Sequence, residues 1–345
     1  GSRMRLLRAS NPRTASSCDF VESLEHPTAK FESHNHPTYT EPHEGAATCA
    51  GGVIRDSWVV GRGGRTIAGV AGYCTGNLRI PGFEQPWEGD GWLPNPRYAA
   101  PLDIMVRASD GASDYNNCFG NPIVLGFART FGIDLPDGRR SWDKPVMYGG
   151  ELGSLSETHV GARELKPGMQ IVLIGPPCHR VGVGGGSGSS QQAGDQSVEL
   201  DYASVQRGNP EAEQRDYRVD RAFIDLGEDN PVVVAIDLGA GGLSNAMPEL
   251  ANPLGARIRL RAIPVGDPSL SVLEIWGNES QERWAIAVER GALPLVSDIC
   301  AREGATFAVI GEVTDNGFVT VEESDGSVVV RLPLARLLSA RPAKT

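Results

Sequence analysis

The apolar residues of this chain come in short bursts separated by glycine and proline rather than in long stripes of helical period. Bursts at 31–34, 67–73, 145–148 and 169–174 read as strands, the last launched by the turn Leu165-Lys166-Pro167-Gly168. Residues 232–236 (Val-Val-Val-Ala-Ile) form a continuous run suited to a buried strand. Gly239-Ala240-Gly241-Gly242 follows it, and a helix is expected from about Leu243. Further strand-like runs lie at 258–262, 283–288, 306–313 and 328–332, with helices expected over 117–130 and 293–301. Residues 1–28 show no periodicity and read as a leader or truncated linker. The pattern shifts near 155–165, so the expected units are 29–157 and 158–338. Strands and helices alternate without a dinucleotide-binding fingerprint or an internal repeat. That predicts an α+β fold with antiparallel sheets.

A length of 345 residues accords with two domains. Hydrophobic residues at 40% and charged residues at 22% are ordinary for a chain with a packed core. Glycine (43) and proline (24) together reach about a fifth of the chain, which predicts many tight turns and close backbone approaches. The net charge of −11 argues against nucleic acid or an anionic membrane as the main partner, while leaving room for a small basic pocket. No apolar run approaches the ~20 residues of a membrane helix. The six cysteines form no CxxC pair and no zinc spacing, so free thiols and a cytoplasmic location are expected.

The densest chemistry is Glu32-Ser33-His34-Asn35-His36-Pro37. On a strand, His34, His36 and Glu32 share one face, and two imidazoles with a carboxylate suit a metal site or an oriented base. A polar turn with satisfied histidines is the competing reading. The small-residue stretch 45–52, closed by Arg55-Asp56, can bring backbone amides to phosphate oxygens, but it is not a Walker loop. The glycine run at 181–190 reads equally as a flexible linker or a phosphate cradle. Asp237 ends the 232–236 strand beside a helix start, a place for a metal-bound nucleotide or for a turn aspartate. Residues 278–283 are polar throughout and precede an apolar run.

Six motifs in order resemble the large form of the phosphoribosylformylglycinamidine synthase family of purine biosynthesis. They are ESHNHP (32–37), GAATCAGGVIRD (45–56), NLRIPGFEQPWE (77–88), ASVQRGNPE (203–211), DLGAGGLSNAMPEL (237–250) and LEIWGNESQER (273–283). The resemblance covers about 29–335 and implies an aminoimidazole ribonucleotide synthetase-like pair, a barrel-forming α/β domain followed by an α+β domain. It implies an ATP-dependent carbon–nitrogen ligase with glutamine as amide donor, converting formylglycinamide ribonucleotide to formylglycinamidine ribonucleotide. It also implies His34 as proton acceptor and magnesium on Glu32, Asp56 and Asp237. ATP contacts would come from Lys30, Gly45, Ala46, Ala47, Thr48, Gly51 and Gly52. Ser33, Asn35, His36, Arg55, Gln206, Glu279, Ser280 and Gln281 would line the ribonucleotide site. Cys49 departs from the family's usual glycine. Only the first of two expected synthetase pairs is present, without a glutaminase domain. The chain is therefore expected to make little product from glutamine alone, and to pair its open sheet in a homodimer. The alternatives are a structural or nucleotide-binding half with no activity of its own, or a kinase of the same superfamily.

Overall fold

The computed structural model describes residues 2–9, 18–89, 95–161, 163–182, 184–192, 194–195, 197–280 and 282–338, with side chains from Glu25 onward except Ser187. In the first unit, β1 (Ser2–Ala9) and β2 (Cys18–Ser33) form an antiparallel hairpin. The segment expected to be an unpatterned leader therefore contains strand. Next come α1 (Asn35–Thr40), α2 (Pro42–Trp58), β3 (Arg65–Thr75), α3 (Pro101–Phe119) and β4 (Ile123–Thr130). A small hairpin of β5 (Gly132–Leu135) and β6 (Gly138–Ser141), then β7 (Val146–Ser156) and the turn α4 (Glu157–Val160), complete it. The main sheet has the order β1-β2-β7-β3-β4, and α2 and α3 cover one face.

The helix expected over 117–130 is instead the end of α3 followed by a strand. Pro101 begins α3 at its first turn, and Gly120, at φ +69°, ends it in the left-handed conformation that favours glycine. The stretch 45–56, expected as a loop, lies inside α2. Its glycines allow close approach there: a Cβ on Gly45 would come within 2.3 Å of the Thr38 backbone nitrogen, and one on Gly51 within 2.8 Å of the Tyr115 ring.

The second unit contains β8 (Gln170–Ile174), α5 (Gly185–Ser189), α6 (Val198–Ser204), α7 (Pro210–Asp225) and β9 (Val234–Asp237). After them come α8 (Leu243–Ala251), β10 (Ala256–Arg259), α9 (Val272–Gly277), β11 (Trp284–Val288) and α10 (Leu293–Glu303). The chain ends in β12 (Phe307–Val313), β13 (Phe318–Glu322), β14 (Val328–Pro333) and α11 (Leu334–Leu338). Seven strands order as β14-β13-β10-β12-β8-β11-β9. The run expected to be a buried strand is β9, which lies at the sheet's edge and is half-buried throughout.

Central strands β8 and β11 bury both faces, and their alternation divides two cores. Ile171, Leu173, Ala285 and Ala287 face Leu243, Met247 and Leu250 of α8. Val172, Ile174, Trp284 and Ile286 face Phe223 of α7 together with Ile54, Trp58 and Tyr115 of the first unit. The second core thus belongs to both units, and that shared packing fixes the walls of the cleft between them.

One buried carboxylate makes the first sheet pH-sensitive. Glu151 on β7 is fully buried; its Oε1 accepts the Ile67 N–H and the Asn121 amide, each at 3.1 Å, while Oε2 lacks a hydrogen-bond partner. Burial pushes its pKa from 4.5 up to about 7. The folded state then holds a proton that the unfolded chain has released. The Glu151 contribution to stability is fully present below about pH 4.5 and is lost as pH rises through about 7. Glu151→Gln is expected to raise the melting temperature above pH 7 and flatten its decline with pH. Melting curves of variant and parent that run parallel across this range would refute the assignment.

A candidate active-site cavity between the two units

Strand β2 stops at Ser33 because the chain turns into α1, with His34 at the N-cap and Pro37 in the first turn. The expected shared strand face of His34 and His36 therefore does not form. His34 Nδ1–H donates to the Gly45 carbonyl at 2.6 Å, which leaves Nε2 with a free lone pair. Burial lowers the pKa of His34, with Arg55 and His36 adding to the effect, so the ring is neutral and able to take a proton. His36 turns away from the cavity and is 3% exposed, with Nε2 3.2 Å from Asp201 Oδ1.

His34 opens on a cavity of about 290 Å³. Glu32 and Ser33 at the tip of β2, and Thr48, Cys49, Gly52 and Asp56 on one face of α2, form one side. Gly185, Gly186, Gln206, Asp237 and Glu279 of the second unit form the other. The motif at 32–34 and the aspartate at 237, two hundred residues apart in sequence, thus face a single space.

Three carboxylates set its electrostatics. Lys30 Nζ lies 3.1 Å from Asp56 and 3.8 Å from Glu32. Asp237 is pushed up to about 6, by burial first and then by Asp56 and Glu32, against the pull of Arg55 and Lys30. Glu32 is also raised, by burial and by Asp56. Among the described residues no cluster of three His, Cys, Asp or Glu side chains stands ready-made around a cation. Both shifts come first from burial, with Asp56 adding to each, and the three side chains supply the hard oxygen donors that magnesium prefers. The residues fit the ion.

Arg55, expected on a substrate phosphate, lines the cavity but is held elsewhere. Its Nη1 donates to Glu213 at 2.6 Å, Nε is 3.9 Å from Asp237, and the side chain is almost wholly buried. Tyr115 donates to Glu213 at 2.6 Å and to Glu282 at 3.1 Å. Burial pushes Glu213 up to about 8, and Asp216 beside it is raised too. Arg55 therefore lines the cavity while its Nη1 ties it to a buried acidic cluster. Glu213, Tyr115, Asp216 and Glu282 were missed in the sequence because no local spacing links residues on α3, α7 and the approach to β11.

The backbone cradle expected at 45–52 is absent, since interior amides of α2 are engaged in the helix. Thr48 and Gly52 reach the cavity through the helix face, whereas Ala46 and Ala47 are core residues. Cys49 faces the cavity with its thiol pushed up to about 12 by burial, hence uncharged. The Asn35 side chain accepts the Met147 N–H at 3.0 Å. Gly186, in the run read as either linker or cradle, gives its N–H to Glu279 Oε1 at 2.8 Å, and Gly241 gives its own at 3.0 Å. Glu279 so pins the two glycine turns together. Gln206 donates to the Glu279 carbonyl, and Ser280 is buried behind it. Gln281 lies outside the described residues.

Residues 166–323 match the family described as AIR synthase related protein, C-terminal domain. A human protein named phosphoribosylformylglycinamidine synthase is 42% identical over 328 residues, 94% of this chain and 24% of its own length. The chain thus spans about a quarter of that relative. T. maritima PurL complexed with FGAR superposes with a TM-score of 0.72 at 27% identity, over 93% of this chain and 48% of that one. T. maritima PurL complexed with ATP gives 0.68 at 25% identity, over 93% and 47%. The AIR synthase related fold expected from the motifs is present, with the matched domain supplying Gln206, Asp237 and Glu279 to the cavity. Among the described residues no helix is long and apolar enough to cross a membrane.

Proposed function

We propose that this chain is the first synthetase pair of a phosphoribosylformylglycinamidine synthase and that the cavity is its ribonucleotide and ATP site. The observation that carries the reading is the meeting of Glu32, His34, Asp56 and Asp237 on one cavity, in a chain 42% identical to a protein of that name. In the reaction, the formamide oxygen of formylglycinamide ribonucleotide attacks the γ-phosphorus of ATP, and ADP leaves. Ammonia released from glutamine adds to the resulting iminophosphate carbon, and phosphate departs. An amide oxygen is a poor leaving group until phosphorylated, which is why ATP is consumed. Glu32, Asp56 and Asp237 would hold magnesium, which when bound would neutralise charge at the phosphoryl oxygens. His34 Nε2 takes the proton that ammonia sheds on attack. Lys30 balances Asp56 and Glu32 beside the nucleotide, Thr48 and Gly52 give the α2 face on which it rests, and Ser33, Gln206 and Glu279 shape the wall.

Calorimetric titration of ribonucleotide, and of ATP with and without magnesium, tests the reading. Asp237→Asn is expected to lose about tenfold or more in magnesium-dependent ATP affinity. In the parent chain that affinity falls as pH drops through about 6, where Asp237 takes a proton in place of the ion. Unchanged affinity in the variant sinks the metal assignment, and absence of ribonucleotide binding sinks the function.

The uncovered face of the first sheet supports a partner. Phe31 and Tyr148 stack there, ring centroids 5.5 Å apart, and Leu125 and Phe127 of β4 lie exposed beside them. In the full-length protein the second synthetase half covers this face, and in the isolated chain a second copy does. Sedimentation of the isolated chain is expected to show a dimer at micromolar concentration; a clean monomer counts against it. Free thiols at Cys49, Cys74, Cys118, Cys178 and Cys300 accord with a cytoplasmic setting.

A further inference from the structure

Next to the cavity, outside its walls, sits a second buried polar cluster centred on Asp201 of α6, which is 3% exposed. Its Oδ2 accepts the Tyr98 hydroxyl at 2.9 Å and Arg97 Nη2 at 3.3 Å, and its Oδ1 faces His36 Nε2 at 3.2 Å. One carboxylate of the second unit thus gathers two donors of the first, Tyr98 and Arg97, with the His36 ring against its other oxygen. Both of those neighbours also grip the chain ahead of α6. The Tyr98 hydroxyl oxygen accepts the Gly194 N–H at 2.9 Å, and Arg97 Nη1 donates to the Gly194 carbonyl at 3.0 Å. Tyr39 of α1 stacks on Tyr98 with centroids 4.2 Å apart, and Lys144 donates to the Ser189 carbonyl at 3.2 Å.

The two ends of this cluster lead into the cavity. Two residues before His36 is His34, the N-cap of α1. At the C-terminal end of α6, Ser204 and then Gln206 enter the cavity wall. We infer that Asp201 is a positioning residue: it sets the distance between the His34 side and the Gln206 side, and His36 acts on the ligand only through it. The inference rests on the ribonucleotide reading of the cavity, and it departs from the resemblance, which places His36 on the substrate. His36 is 3% exposed, lies outside the cavity lining and has Nε2 3.2 Å from Asp201. The chemistry of the cluster also explains its burial. A lone carboxylate at this depth would be costly, and the Tyr98 and Arg97 donors satisfy it while specifying a single docking of α6.

A double-mutant cycle in the full-length protein separates the two roles. His36→Gln and Asp201→Asn are each expected to weaken binding of formylglycinamide ribonucleotide about tenfold, with KM rising far more than kcat falls. The double variant is expected to lose about tenfold again in total, not about a hundredfold, because the second change removes a contact already broken. Additive losses, or Asp201→Asn with the parent KM, overturn the inference. A ligand-free readout guards against a silent site. Amide hydrogen exchange is expected to quicken at both 35–40 and 197–206 in Asp201→Asn, and in the milder Tyr98→Phe should the first variant not fold. Exchange unchanged at 35–40 overturns the positioning role. Quickened exchange in a protein that binds no ribonucleotide leaves the positioning intact and defeats the proposed function instead.

Discussion

Arg55→Met is expected to destabilise the chain by about 3–5 kcal/mol at pH 8, the penalty typical of a buried ion pair that loses one member. The reason is an imbalance of charge. Arg55 is the cation hydrogen-bonded to Glu213 in a cluster that includes Asp216 and Glu282, with Asp237 3.9 Å from its Nε; Arg283 also acts on Glu282. Removing Arg55 leaves Glu213 without its cation in the core shared by both units. Glu213→Gln, by contrast, removes one acid from a surplus and keeps the Arg55 contact through the amide oxygen, so a much smaller loss is expected. The sign of the pH effect follows from the raised pKa values. As pH falls through about 8, Glu213 takes up a proton, and the cost of lacking a cation shrinks. Urea denaturation of both variants at pH 5.5 and pH 8 measures this. An Arg55→Met loss below about 1 kcal/mol, or one indifferent to pH, would show that the cluster does not depend on its cation.

What the sequence made legible follows from how locally each feature is determined. The strand at 170–174, the glycine turn after Asp237 and the helix from Leu243 were readable because turn chemistry and an apolar run specify each within ten residues. Helix α2 was not readable. Its three glycines within eight residues obscure the helical preference of its alanines, and what stabilises it is contact: Gly45 against the Thr38 backbone and Gly51 against the Tyr115 ring. Strand β4 escaped for the opposite reason. Its apolar side chains are exposed, so the alternation of a half-buried strand is missing.

The site divides in the same way. Glu32 and His34 stood out in a dense polar motif, Asp56 at the end of a small-residue stretch and Asp237 at a strand's end before a glycine turn, and one cavity brings the four together. Their supporting residues lie far away in sequence. Asp201 and Glu213 are single acids in ordinary helical text, and only tertiary packing sets them against His36 and Arg55. The face shared by His34 and His36 failed because the strand ends at Ser33 and the chain turns into a helix before either ring. That turn sends His34 to the cavity and His36 to a buried cluster, with Gly45 beside one ring and Asp201 beside the other.

His34→Ala in the full-length protein is expected to lower kcat with ammonia by 10²–10⁴, the usual range for a positioned acid–base group. Ribonucleotide affinity should change little, because the Gly45 carbonyl, not the ligand, is the partner of the ring's N–H. That bond fixes the tautomer, so Nε2 points its lone pair into the cavity without a proton to expel first. Burial, which lowers the His34 pKa below the ordinary 6.5, adds a second signature. The acid limb of kcat/KM is expected below pH 6.5 in the parent protein, and the variant should lose the part of that limb that belongs to the ring. Ammonia is the informative donor, since it bypasses glutamine hydrolysis and exposes the addition step alone. A variant that turns over within about tenfold of the parent would remove His34 from the proton transfer. A variant that fails only with glutamine would place the ring on the ammonia supply. Loss of kcat with the acid limb unmoved would mean the ring orders the cavity without taking the proton.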